Sequence, residues 1–407
     1  MLRTRLLGLL LVPAIAATLA AQGGGTATVL EGARVIVGDG RVIENATIVM
    51  AGTTIAQVGP AASVQVPAGA ARVNAAGKTL MPAIIDTHTH LSQTREALTG
   101  DLRRRAYWGV AGAMSLGQDG DVPLAMRAEA IPGAALFRSA GRGITAPEPG
   151  RSDVPYWVRT EAEARKAVQE LAAKNVDIVK IWVDDRNGMY TKLSPALYTA
   201  VIDEAHQRNL RVTAHIFTLE DAKGLLKAGL DAFAHGVRDR DIDDEGLALF
   251  RSRRNVVLVP NLPGRGVAED LSWLRGTMPD GEMQKLQAAA VDRPEAQATF
   301  GIQARNLKKL SDAGVTIALG TDGNTPYAAH QEMADMVATG MTPAQVIVAA
   351  TRSSATFMRL PNTGTIEAGK SADLLVLDAN PLDDITNTRR INAVYLRGAA
   401  VNRATMP

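Results

Sequence analysis

Two histidines one residue apart, His88 and His90, close a stretch that opens with the apolar run Ala83-Ile84-Ile85. Side chains on a β-strand alternate between its faces, so both imidazoles project from the same side. Two neutral imidazoles on one face at the end of a buried strand can grip one metal ion. Alone, such a pair is more often two unrelated surface or core histidines. The rest of the chain shifts that balance. Of its six histidines, four (His88, His90, His215 and His235) fall where an apolar β-like run ends. Asp322 follows a further run, Val315 to Leu319, within Gly320-Thr321-Asp322.

Lys180 lies inside Ile178-Val179-Lys180-Ile181-Trp182 and shares a face with Ile178 and Trp182. In a strand buried on both sides, an ammonium costs several kcal/mol unless it is paired or neutralised, as burial of a lone charge generally does. A salt bridge to a nearby carboxylate is one solution. Carboxylation by CO2, which makes the amine an anionic carbamate able to bridge two cations, is the other. Asp322 is either a turn residue between Gly320 and Gly323 or a metal ligand and general base.

Composition narrows the chemistry. The chain of 407 residues has 46% apolar residues and a formal net charge of +2. That fits a globular protein with a large core and gives no reason to expect nucleic acid as a partner. With no cysteine, disulfides, zinc–thiolate sites and a thiol nucleophile are excluded, so any metal must be held by nitrogen and oxygen. Residues 1–22 begin with Arg3 and Arg5, continue through the short apolar run Leu6 to Ala17 and end in small residues. This is the pattern of a secretory signal, too short for a spanning anchor. The expectation is a periplasmic or secreted protein with no stable membrane anchor.

The positioning elements follow from periodicity and breakers. Residues 27–80 read as short strands punctuated by Gly38-Asp39-Gly40 and Ala51-Gly52. They are too few to close a core alone. Residues 360–405 supply further strands at Ala372 to Leu377 and Ile391 to Leu396. The two terminal segments are therefore expected to form one β-sandwich composite domain. Between them, over 81–359, strands and helices alternate, which argues for a parallel sheet. Thr160-Glu161-Ala162-Glu163 is a capping box, and Ser194-Pro195 and Gly229 mark further helix ends. Eight such units suit a (β/α)8 TIM barrel, typically about 250 residues, with catalytic groups at the C-terminal strand ends. The fold class is therefore α/β.

The set His88-x-His90, Lys180, His215, His235 and Asp322, in that strand order, resembles the two-metal, carboxylated-lysine type of the amidohydrolase superfamily. The stretch Thr363 to Asp373 resembles that family's C-terminal strand, and the likeness extends over nearly the whole chain after the signal. The resemblance is to the imidazolonepropionase-like and prolidase-like branch. It implies His88 and His90 on the more buried metal, His215 and His235 on the more exposed one, Asp322 on the buried ion and an N6-carboxylated Lys180 bridging both. It further implies two divalent ions, Zn2+ first with Mn2+ or Co2+ as alternatives, whose bridging hydroxide attacks an amide while Asp322 serves as general acid/base.

The substrate implied is a dipeptide, an N-acyl amino acid or a related small-molecule amide. A lactone or phosphotriester hydrolase, or a barrel that binds without catalysis, are the other readings. Arg238 either clamps a substrate carboxylate or pairs with Asp239, Asp241 or Asp243. Tyr190 either hydrogen-bonds the carbonyl or packs its loop, and His330 either reaches substrate or starts a solvated helix. His206 reads as an outer-helix residue, and Gly141 to Pro155 as part of a lid. A homo-oligomer is left open.

Overall fold

A computed structural model describes residues 27–407. The expected export signal at 1–22 lies outside the described residues. The β-branched runs near the start form β1 (Thr28–Ile36), β2 (Val42–Ala51), β3 (Thr54–Pro60), β4 (Ala71–Asn74) and β5 (Thr79–Pro82). The parallel region contributes β6 (Ile84–Thr89), β7 (Val110–Ser115), β8 (Leu136–Ser139), β9 (Ile144–Thr145) and β10 (Tyr156–Trp157). It continues with β11 (Val179–Val183), β12 (Val212–Ile216), β13 (Ala232–Ala234), β14 (Val257–Val259) and β15 (Thr316–Ile317). The C-terminal end adds β16 (Leu374–Leu377), β17 (Ile391–Leu396) and β18 (Ala399–Ala400).

Both ends of the chain share one mixed sheet, ordered β18-β17-β16-β5-β1-β2-β3 with β4 against β1. Antiparallel pairing of β16 with β5, Leu375 opposite Met81, joins the two segments. One face buries Leu30, Val35, Ile48, Ile55, Leu80 and Leu374 with Ile366. The stretch Thr363 to Asp373 is stitched to the β2–β3 turn by Ile55 N to Lys370 O (2.8 Å) and Ala372 N to Thr53 O (2.9 Å).

Between these ends the strands run parallel in two sheets, β6-β7-β8 and β10-β9-β11-β12-β13-β14-β15. Backbone hydrogen bonds link them on both flanks. On one, Asp177 N donates to Ser139 O (3.0 Å); on the other, Thr87 N donates to Leu319 O (2.9 Å) and Asp322 N to His88 O (2.8 Å). Helices pack outside, and their boundaries follow local chemistry. Thr160 and Glu163 form the expected capping box at the start of the helix Glu161–Ala173. Gly229 ends the helix Leu219–Ala228 at φ 99°, a left-handed conformation that costs glycine little. The loop Gly141 to Pro155 departs from the lid expectation. Its first part is largely buried, and β9 pairs with β11 and β10 inside the sheet.

A cluster of aromatic rings ties the C-terminal turn to this framework. Trp108, Trp273, Tyr327 and His330 meet edge to face at 5.4–6.4 Å between centroids. The His330 ring is fully buried, 3.0 Å from Thr388 Oγ1 through Nδ1 and 2.9 Å from Trp108 O through Nε2. Burial holds it down to about 4 despite the Trp108 carbonyl. An unfolded chain protonates this ring near 6.5. Between the two values the unfolded state binds more protons, so this contribution to stability is intact above about pH 6.5 and is lost as pH falls toward 4. Urea denaturation at pH 7 and pH 5 is expected to show His330 accounting for a loss of roughly 1–2 kcal/mol. A His330→Gln variant should be less stable at pH 7 yet flatter with pH; an unchanged slope would contradict this.

Candidate metal centre

The strand ends bring the expected side chains together. Lys180 lies opposite Thr213, and Trp182 opposite His215, in the parallel β11–β12 register, so Lys180 and His215 share a face. His235 immediately follows β13, and Asp322 follows the segment bonded to β6. The Asp322 carboxylate is the meeting point. Its Oδ1 lies 3.1 Å from His88 Nε2 and 2.9 Å from His90 Nε2, and its Oδ2 lies 3.3 Å from His235 Nε2. The His88 ring stands 5.3 Å from His90 and 5.2 Å from His235, and His215 lies 4.7 Å from His235. Lys180 Nζ is 3.5 Å from His88 Nε2 and 5.5 Å from the centre of the Trp182 ring.

His88 and Lys180 are completely buried, and His215 and His235 nearly so. Burial, then the Lys180 ammonium, hold the His88 imidazole at about 4. Burial puts His215 at about 3 and His235 well below its ordinary value. These rings are therefore neutral, and a neutral nitrogen is what a metal requires. Burial also brings Lys180 down to about 7; Asp322 opposes this, while Arg238 and Arg186 reinforce it. No carboxylate forms an ion pair with Lys180 among the described residues, so the salt-bridge reading is not what the structure adopts. Burial works to raise the Asp322 carboxyl, but the imidazoles around it hold it far below the usual range.

The donor set fits a divalent cation. One ligand atom each from His88, His235 and Asp322 lie within 4.8 Å of one another. The Nδ1 atoms of His90 and His235 are buried without a hydrogen-bond partner among the described residues. His215 completes the group only in part, because its Nε2 faces Asp184 Oδ2 at 2.9 Å and Arg186 Nη1 at 3.1 Å.

Sequence reasoning missed four supporting residues. Asn261 Oδ1 lies 2.8 Å from His88 Nδ1. A proton on Nδ1 donated to that oxygen leaves Nε2 free to face the centre. Asp86, within the motif itself, is buried and accepts from Thr321 Oγ1 (2.7 Å) and Thr321 N (3.1 Å), pinning the Asp322 turn to β6. Asp184 and Arg186 lie just past the Lys180 strand, and their charge was the only signal for them. Space is also built in. A Cβ on Gly117, at φ 93°, would come within 2.4 Å of the Trp182 ring and 2.8 Å of Lys180 Cγ.

Of the expected substrate contacts, Arg238 is the best placed. Asp239, Asp241 and Asp243 pair instead with Arg240, Arg305 and Lys223, and Arg238 forms no salt bridge among the described residues. Burial lowers its affinity for a proton, while the charges of Asp322 and Asp184 favour the guanidinium. Tyr190 donates its hydroxyl to Pro149 O at 3.1 Å and so packs its loop. His330 is a correction. Buried against Trp108 with both ring nitrogens engaged, it neither meets substrate nor starts a solvated helix. His206 pairs with Asp231 at 2.9 Å on an outer helix, as expected.

The model of the amidohydrolase family matches residues 79–401. The chain belongs to the amidohydrolase family. Ochratoxinase of Aspergillus niger is 27% identical over 290 residues, 62% of this chain; the chain spans only about half of that relative, 55% of its length. Imidazolonepropionase of Shouchella clausii is 25% identical over 352 residues, 79% of this chain and 76% of the relative. A crystal structure of a prolidase-like protein from Bifidobacterium longum superposes with a TM-score of 0.76 at 28% identity, covering 93% of this chain and 95% of the other. This amidohydrolase sits in the imidazolonepropionase-like and prolidase-like branch.

Asn261 gives a direct test of the support around His88. Asn261→Ala is expected to weaken metal binding about 10- to 100-fold, as loss of such a partner usually does. Competition with a chromophoric chelator reads the affinity, and circular dichroism checks the fold. Unchanged affinity would remove Asn261 from this role.

Proposed function

We propose that this protein is a metal-dependent hydrolase that cleaves an amide bond in a small molecule, a dipeptide or N-acyl amino acid with a free carboxylate. The observation that carries this reading is the convergence of three imidazoles on Asp322 beside a buried, uncompensated Lys180. Family membership, with relatives named ochratoxinase and imidazolonepropionase, supports hydrolysis at an amide. The two parallel sheets and the backbone bonds on both flanks support a (β/α)8 barrel, with the terminal segments forming the composite domain.

His88, His90, His215, His235 and Asp322, with Lys180 as its carbamate, would hold two divalent cations, Zn2+ first. The low proton affinity of Lys180 leaves much of the amine neutral near pH 7, the form that reacts with CO2. Bound there, the cations supply Lewis acidity and lower the pKa of water toward neutrality. The chain's own residues do the rest. Asp322 takes the proton of the attacking water and returns it to the departing amine nitrogen, so that acid and base are one carboxylate. Arg238 orients the substrate by pairing with its carboxylate. The burial of His88, Lys180 and His235 keeps the centre in a low dielectric, where these charges act strongly. The basic start and short apolar run of residues 1–22 support export from the cell.

Metal-loaded enzyme is expected to hydrolyse dipeptides or N-acyl amino acids and to leave lactones and phosphotriesters largely untouched. Turnover of the latter alone would discard the amide reading. Asp322→Asn should lower kcat by about 10²- to 10⁴-fold, the scale of a lost proton-transfer group, without changing the melting temperature by more than a few degrees. Arg238→Met should raise KM for carboxylate-bearing substrates while sparing their amidated counterparts. Equal effects on both classes would rule out the clamp.

A further inference from the structure

A cavity of about 570 Å³ opens beside the metal centre, between the loop after β14 and the helix Ala328–Ala338, with Thr321 in its wall. Thr321 lines it with its hydroxyl bonded to Asp86 of β6 at 2.7 Å, and the charges of Asp86 and Asp322 act on Glu332 in its wall, so the cavity lies within electrostatic reach of the metal centre. Arg238 and Lys180 lie outside its lining. A substrate carboxylate held on Arg238 would therefore leave this cavity free for another part of the molecule.

The lining is apolar at two exposed points and acidic at depth. Val267 and Val291 are 39% and 50% exposed, unusual for valines. Deeper in, Arg265 is shared by Glu269 and Asp335. Arg293 donates to Ala289 O at 2.8 Å. Glu332 has no cationic partner among the described residues. It is only 5% exposed, and both its oxygens rest on a single donor, Leu262 N, at 3.1 Å. A buried carboxylate that faces a cavity without a counter-ion is costly, and a cation entering the cavity would remove that cost. Burial and the nearby charges of Asp335, Asp86 and Asp322 push the Glu332 carboxyl well above its ordinary range.

We propose that this cavity is a subsite for the acyl half of the substrate and takes a cationic side chain, an alkylammonium or guanidinium, with Glu332 as counter-ion and Val267 and Val291 along its stem. The proposal deepens the amide-hydrolase reading and rests on it.

The test compares Nα-acetyl-lysyl and Nα-acetyl-norleucyl amino acids that share one C-terminal residue, on the metal-loaded full-length enzyme. The lysyl substrate should have the higher kcat/KM by about 10- to 100-fold, the range of a charge-assisted contact. Glu332→Gln, which retains an acceptor for Leu262 N, should bring that ratio close to one. A ratio near one in the unmodified enzyme, or one that survives in Glu332→Gln, overturns the proposal. So does a preference that appears only when the α-amine is left free, because the α-ammonium would then be the recognised group. If no amide is hydrolysed, the amide reading fails by itself, and calorimetric titration decides the subsite. Saturable binding of pentylammonium but not 1-pentanol, weakened in Glu332→Gln, keeps it; no binding of the amine overturns it.

Discussion

The sharing of one carboxylate among imidazoles from separate strands governs this structure. Asp322 meets His88 and His90 from the β6 end and His235 from the β13 end, and the His88 and His235 rings have left water to do so. A carboxylate so placed is stable as an anion while those rings stay close, and burial keeps the His88 and His235 rings neutral. The backbone is bent to meet this demand. His235, Asn261 and Asp322 adopt φ values of 114°, 44° and 54°. For residues other than glycine each costs on the order of 1–3 kcal/mol and persists only where surrounding contacts enforce it. The buried Asp86 and the Asn261 amide are such contacts.

Around this centre the charged loops divide the work. Asp184, Arg186 and Glu148 neutralise one another on the His215 side. Arg238 is left with an uncommitted guanidinium on the loop after β13. Glu332, in the wall of the neighbouring cavity, forms no salt bridge among the described residues, and burial holds its carboxyl well above the ordinary range.

Much of the centre was legible in residue types at strand ends because alternation along a strand is a local rule. His88 and His90 share a face whatever else the chain does, and Lys180 is conspicuous in an apolar strand. The supporting contacts were not legible. Asn261 lies 173 residues from His88, and Asp86 lies 235 from Thr321. Such pairs are set by packing across the sheet and leave no periodic trace. His330 failed for a related reason. Its nearness to Asp322 in sequence is not nearness in space, because its helix turns the ring toward Trp108. The segment around Ile144 misled through its glycines and prolines, which signalled a mobile cover although the backbone there pairs as a strand.

The sheet made from both ends of the chain has a consequence for how the molecule is assembled. β5 takes β16 as its neighbour, and Lys78 reaches Asp378, 300 positions along the chain. Until the last strands emerge from the ribosome, β5 has an open edge, a template for pairing with another chain. Contacts at such separations also slow folding, since the intervening loop must be ordered before they form. A nascent chain stopped after Asp322 would thus carry every metal-centre residue yet lack β16, the strand that closes the edge of β5.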